Sequence, residues 1–195
     1  MDVHDNVPAL VKIEVEFKLR LADRAVFARR LQELGARLIR PRELEDNVVY
    51  DFPDRGLTGR GSMLRTRTLD EQVVLTFKGR ARPSSVAKAR EEIESVLTRQ
   101  EGDALVAILE RLGLVPIFRY QKYRTTWELQ GVHVMLDETP IGDFAEIEGE
   151  EGLIIATAYG LGYRQDQFIT LSYRDLYVRG LPDRPGPADR MVFAT

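Results

Sequence analysis

Cysteine is absent from the 195-residue chain, which removes disulfide stapling and thiolate chemistry and is compatible with a reducing compartment. No apolar stretch approaches the ~18–20 residues a helix needs to cross a bilayer. The start, Met1-Asp2-Val3-His4-Asp5, is acidic and lacks the apolar core of a secretory leader. A basic excess is missing too: 28 Lys+Arg against 31 Asp+Glu give a formal net charge of -3, which argues against a general nucleic-acid binder. The expectation is a soluble, cytoplasmic protein without a nucleic-acid or membrane partner. Histidine is scarce, at two residues: His4 lies near the start, and His133, between Val132 and Val134, reads as a structural strand residue rather than a general base.

The length suits a single domain with a sizeable core, and 44% of the residues are hydrophobic against 30% charged. Lys12-Ile13-Glu14-Val15-Glu16-Phe17-Lys18-Leu19-Arg20 alternates charged and apolar residues without a break. Period-two alternation predicts a strand with Glu14, Glu16, Lys18 and Arg20 on one face and Ile13, Val15, Phe17 and Leu19 on the other. Asp23 caps a predicted helix over 25–34, stopped by Gly35. Further strands are predicted at Val48–Phe52, Met63–Leu69, Val73–Arg80, Lys88–Leu97, Leu114–Leu129, Val132–Asp137 and Phe144–Glu148, with hairpin turns at Asp70-Glu71 and Gln130-Gly131. Helices are expected at Glu101–Leu112 and Gly152–Gly160, and a helical turn or a strand at Ser172–Val178. Gly56, Gly59 and Gly61 punctuate residues 54–62, but no Gly-Lys-Ser/Thr ending follows, so a plain loop is expected rather than a phosphate cradle. Arg82-Pro83-Ser84-Ser85 reads as a link. Residues 1–179 are taken as one domain and 180–195, with three prolines, as a loose tail.

The later strands repeat the charged face. Arg65 pairs with Arg67, Lys78 with Arg80 and Lys122 with Arg124, while Lys88, Arg90, Glu92 and Glu94 line up on one strand and Glu146 joins Glu148 on another. A solvated sheet of mixed charge is one reading of this pattern. Segregation by strand suggests another: if the strands curl into a barrel with these faces inward, clustered carboxylates need cations or metal ions among them. Such an interior suits a polyphosphate bridged by Mg²⁺ or Mn²⁺, with Arg and Lys on the phosphate oxygens.

The same residues resemble a family signature. Glu14-Val15-Glu16-Phe17-Lys18 matches the Glu-x-Glu-x-Lys motif of the CYTH superfamily, the triphosphate tunnel metalloenzymes. In order after it come Leu64-Arg65-Thr66-Arg67, Leu75-Thr76-Phe77-Lys78, Arg90-Glu91-Glu92-Ile93-Glu94, Lys122-Tyr123-Arg124, Leu136-Asp137-Glu138, Gly142-Asp143-Phe144-Ala145-Glu146-Ile147-Glu148 and Ser172-Tyr173-Arg174-Asp175-Leu176. The match spans residues 12–178 and looks most like class IV adenylate cyclases and thiamine triphosphatase-type relatives. The resemblance implies an α+β fold: an eight-stranded antiparallel β-barrel, the triphosphate tunnel, with helices packed outside.

It further implies a metal-dependent enzyme acting on a small-molecule triphosphate with Mg²⁺ or Mn²⁺. The reaction is either adenylate cyclisation, ATP to cyclic AMP and pyrophosphate, or hydrolysis of tripolyphosphate, thiamine triphosphate or a nucleoside triphosphate. A homodimer is compatible with it. Glu14, Glu16, Lys18 and Glu146 would be catalytic. Glu14, Glu16, Asp137, Glu146 and Glu148 would hold metal. Lys18, Arg65, Arg67, Lys78, Lys122, Arg124 and Arg174 would bind phosphates, with Glu92 and Glu94 supporting them. Two departures bear on nucleoside recognition: Val7-Pro8-Ala9-Leu10 replaces a His-Phe pair before the first motif, and Val49 stands where an aromatic residue is common. Trp127 and Tyr123 are expected to pack beneath helices rather than stack a nucleobase. The alternative function is a non-catalytic polyphosphate- or nucleotide-binding module. A plain barrel with solvated faces would bind nothing.

Overall fold

The computed structural model describes residues 11–82, 86–181 and 188–194. Its first strand, β1 (Val11–Arg20), buries Glu14, Glu16 and Lys18 on one face and Phe17 and Leu19 on the other. Asp23 then accepts a hydrogen bond from the Val26 N–H at 3.0 Å and starts α1 (Arg24–Glu33), which Gly35 closes at a φ of 83° that suits glycine.

The second strand, β2 (Arg37–Asp51), is fifteen residues long and so begins eleven residues before the expected Val48. Charges stand on both of its faces, which hides the alternation, and Pro41 falls inside the irregular stretch between Arg40 and Glu43, where the ladder needs no proline N–H. Asp51 ends the strand by accepting from the Leu57 and Thr58 N–H groups at 2.8 and 3.0 Å. That clasp folds the glycine-rich segment back as the one-turn helix α2 (Gly56–Gly59) in place of a plain loop.

Next come β3 (Met63–Leu69), β4 (Gln72–Lys78) and β5 (Lys88–Thr98), then α3 (Arg99–Arg111) behind a Thr98/Glu101 capping box. The hairpin β6 (Val115–Leu129) and β7 (Val132–Thr139) turns through Gln130 and Gly131, at φ 52° and 84°, and β8 (Gly142–Glu148) follows. The helices α4 (Glu151–Gly160) and α5 (Tyr173–Arg179) complete the set, so Ser172–Val178 resolves to helix. Arg190–Met191 forms β9, with Met191 buried, so part of the stretch expected to be loose is packed. Of the link and tail, residues 83–85, 182–187 and 195 lie outside the described residues, as do His4 and Val7–Leu10.

Hydrogen-bonded neighbours run β2-β3-β4-β5-β1-β8-β7-β6, all antiparallel, and β6 pairs back onto β2. The eight strands therefore close on themselves, and closure leaves no long sheet edge exposed. β9 adds in parallel to β6 at Arg119 and Tyr120. The apolar core lies outside this wall. Phe17, Leu19, Val134, Ala145 and Ile147 on the strands meet Phe27 and Leu31 of α1 and Ile154 and Ala158 of α4. Tyr50, Leu57, Leu109 and Leu114 form a cluster with α3, and Phe118, Phe144, Tyr173 and Met191 another with α5. Trp127 belongs to the first cluster, while Tyr123 packs against Phe193 with the Arg42 guanidinium over its ring. Burying the apolar faces under helices leaves the charged faces of β1, β3, β4, β5, β6 and β8 to point inward.

Candidate active site in the tunnel

Inside the barrel lies a cavity of about 280 Å³ lined by Glu14, Glu16 and Lys18 of β1, Arg65 and Arg67 of β3, Lys78 of β4, Arg90, Glu92 and Glu94 of β5, Tyr120, Lys122 and Arg124 of β6, and Glu146 and Glu148 of β8. The carboxylates concentrate on the adjacent staves β5, β1 and β8. Cations flank them on β3 and β4 to one side and on β6 to the other. Arg80, expected to share the Lys78 face, lies beyond the end of β4 and is exposed.

Every buried cation of the lining is tied to an acid or a hydroxyl. Lys18 lies 3.4 Å from Glu16 and 3.3 Å from Glu146. Lys78 donates to Glu14 and sits 3.2 Å from Glu92. Arg67 donates to Glu45 at 3.2 Å and to Glu94 at 3.0 Å. Arg65 donates to the Tyr120 hydroxyl at 2.9 Å and to Thr76 Oγ1 at 3.3 Å. Arg124 grips Glu146 and both oxygens of Asp137. Buried charges persist only when paired in this way.

The pairing fixes protonation. Burial pushes Glu16 up, but Lys18, Lys78 and Arg90 outweigh it and hold the carboxyl at about 2. Glu146 is held well below the usual range, where Arg124, Lys122 and Lys18 overcome its burial. Glu148 goes the other way, raised to about 7 by burial and by Glu14, Glu16 and Glu92 around it. It is an acid among acids.

Asp137, expected as a metal ligand, is fully buried behind the lining. Lys122 donates to it at 3.0 Å, the Tyr173 hydroxyl at 2.7 Å and Arg124 at 2.7 Å. Those donors make it an anchor for the two β6 cations. The Ser-Tyr motif gains a physical meaning here as well. Ser172 caps α5 with its hydroxyl accepting from the Asp175 N–H. The following Tyr173 ring then sits 5.3 Å from the Lys18 ammonium and 5.2 Å from that of Lys122. Arg174 does not reach the main cavity and lines a neighbouring chamber.

Glu45 escaped sequence reading because β2 did. It is 2% exposed and lies 3.2 Å from Arg67, 3.4 Å from Lys122 and 3.8 Å from Arg124, which hold its carboxyl far below the usual range against its burial. Arg90, two residues before Glu92 on the same face, was legible by alternation and lies 3.5 Å from Glu14. His133 is exposed and does not line the cavity.

The donor set suits a hard divalent ion, since Mg²⁺ and Mn²⁺ take carboxylate oxygens. Glu148 in particular stands where a positive charge would relieve three neighbouring acids. Among the described residues no group of three or more acids or histidines is arranged to grip an ion as it stands, because ammonium and guanidinium groups occupy the carboxylates. No helix of the described residues is long and apolar enough to cross a membrane.

A family model described as the CYTH domain matches residues 12–156. The adenylate cyclase CyaB of Aeromonas hydrophila is 26% identical over 183 residues, covering 87% of this chain and 91% of that protein. A solved structure from Pyrococcus horikoshii OT3 is 27% identical with a TM-score of 0.70, covering 85% of this chain and 98% of the other. The HpAC1 protein of Hippeastrum, described as having a dominant triphosphatase activity, shares the fold at 21% identity and a TM-score of 0.64, covering 86% of this chain and 96% of its own.

Proposed function

The chain belongs to the CYTH domain family, and from that premise we propose that it is a divalent-metal-dependent enzyme that hydrolyses a triphosphate inside the tunnel. One observation carries the reading: Lys18, Arg65, Lys78, Arg90 and Lys122 are buried around the same cavity as Glu14, Glu16 and Glu146, with Arg124 half-buried beside them. A polyanion can enter such a space only by meeting preformed cations, and a divalent ion only by meeting preformed carboxylates. Glu14, Glu16, Glu146 and Glu148 are the residues that would hold Mg²⁺ or Mn²⁺. The bound ion supplies charge neutralisation and polarisation of phosphate oxygens.

The chain's own cations do the rest. Arg65, Arg67 and Arg124 present paired N–H donors to phosphate oxygens, and Lys18, Lys78 and Lys122 add compact positive charge. Water attacks the terminal phosphorus and gives up a proton to solvent as the bridging P–O bond breaks, and the charge left on the departing diphosphate oxygen is neutralised by these groups. Their carboxylate partners hold them in place beforehand, so little reorganisation is needed as charge develops. The triphosphatase activity described for HpAC1 is consistent with this reading.

A second reading has the α-phosphorus attacked by a ribose 3′-hydroxyl, releasing pyrophosphate and cyclic AMP. It is favoured by the cyclase name of the Aeromonas relative. The test incubates purified protein with Mg²⁺ or Mn²⁺ and tripolyphosphate, ATP or thiamine triphosphate, and measures phosphate, pyrophosphate and cyclic AMP together. Phosphate release that stops on chelation is expected. Pyrophosphate appearing with cyclic AMP would move the assignment to the cyclase, and metal-independent binding without any product would make the protein a binding module.

A further inference from the structure

A second chamber of about 170 Å³ adjoins the tunnel, and Met63, Arg90, Tyr120, Ser172 and Tyr173 line both. That volume is far above the ~10–15 Å³ a single water requires. Lys88 of β5 and Arg174 of α5 line this chamber and not the main cavity. Lys88 shares the inward face of β5 with Arg90 and Glu92, one step toward α5.

These two cations differ from those of the tunnel. Neither Lys88 nor Arg174 makes a salt bridge or hydrogen bond with a described residue, and Arg174 Nε is buried without an acceptor. The obvious acid, Asp175, is turned away, its carboxylate accepting from the Ser172 N–H at 3.3 Å and the Ser172 hydroxyl at 2.7 Å. Burial first and then Arg90 hold the Lys88 ammonium down at about 8, against the pull of Glu16, its partner across the β1–β5 ladder, and of Asp175. Val49, Tyr50 and Ile117 form an apolar remainder of the wall, which strengthens the field of both cations by excluding water. Arg90, which lies 3.5 Å from Glu14, lines both spaces and joins them.

We propose that this chamber is an anion subsite for a further phosphoryl group, the end of a linear chain of four or more phosphates whose other units lie in the tunnel, with Lys88 and Arg174 as its binding residues. The proposal rests on reading the tunnel as a polyphosphate site. An Arg and a Lys without carboxylate partners match the several oxygens of a terminal phosphoryl group, and continuity through Arg90 favours a substrate that extends from the tunnel over a separate small ligand.

The test measures binding in EDTA by titration calorimetry, so that it does not depend on turnover. Pentaphosphate, tripolyphosphate and orthophosphate are each titrated into the wild type, Lys88→Met, Lys88→Arg and Arg174→Gln. Wild type should bind pentaphosphate more tightly than tripolyphosphate. Lys88→Met and Arg174→Gln should each weaken pentaphosphate about tenfold, with tripolyphosphate within about twofold, and Lys88→Arg should restore the preference. Equal losses for both chains, or none for either, would overturn the subsite. So would loss of orthophosphate binding with an unchanged pentaphosphate affinity, which assigns the chamber to free phosphate. Melting temperatures of the variants identify any that merely fail to fold, and the conservative Lys88→Arg keeps the test decisive in that event. A wild type that binds both chains but releases no phosphate with Mg²⁺ would defeat the hydrolase reading and leave this one standing.

Discussion

Burial, with Glu14, Glu16 and Glu92 around it, outweighs the pull of Lys78 on Glu148, and its carboxyl is raised to about 7 from an ordinary 4.5. The folded state therefore holds this proton more tightly than the unfolded chain does. Its contribution to stability is unchanged below pH 4.5, falls as pH rises to about 7 and stays lost above that. Metal-free protein should lose on the order of 3 kcal/mol across that window through this group, and Glu148→Gln should flatten the slope. Denaturant melts at successive pH values would reveal it, and an unchanged slope in the variant would refute the assignment. Glu16 is the opposite case, ionised down to about 2 because Lys18, Lys78 and Arg90 surround it. Glu16→Gln should lower kcat by at least ~100-fold, or about 2.7 kcal/mol of transition-state stabilisation. Arg67→Ala should mainly raise KM, by about tenfold, because Arg65 and Lys78 remain in the cavity. Steady-state kinetics at saturating Mg²⁺ separates the two, and similar kcat and KM changes would count against these roles.

Among the elements, α3 approaches the barrel so closely that a Cβ at Gly102 would lie 2.6 Å from Val73 of β4. Glycine at this position permits the contact, despite its cost to a helix interior. Gly102→Ala, which improves helix propensity, should nevertheless destabilise the protein by ~1–3 kcal/mol through overpacking. A stabilising effect in urea melts would show that the helix can move away. Element boundaries were legible where alternation was clean, as in β1 and β3. They were not legible in β2, where Arg37–Asp46 carries charge on both faces and a proline in the bulge. Asp46, Arg119 and Gln121 form a polar cluster on the outer side of that strand, so charge there does not mark the inward face. Glu45, on the inward face of the same stretch, was lost with it.

For the whole molecule, a ligand that binds the closed barrel and not the unfolded chain must stabilise it. Tripolyphosphate with Mg²⁺ at ~100 times its Kd should add about 2.7 kcal/mol, or roughly 5–10 °C in Tm for a chain of this size. Differential scanning fluorimetry with and without chelator measures this, and no shift at saturating ligand would remove the tunnel from consideration as the binding site.

The order of charged strands, the two strand carboxylates Glu14 and Glu16, the cap at Asp23 and the division of each strand into a charged and an apolar face all follow from local pattern, because period-two alternation fixes which side chains share a face. Which face turns inward, and which acid meets which cation, depends on closure. Only when β6 pairs with β2 does Lys122 join Arg67 on Glu45, on three neighbouring staves drawn from distant parts of the sequence. The β6–β7 hairpin sets Asp137 behind Lys122 and Arg124, and the packing of α5 against the barrel places Arg174 and Lys88 on one chamber. Electrostatic roles depend on distances between strands, and those distances do not exist until the barrel is shut.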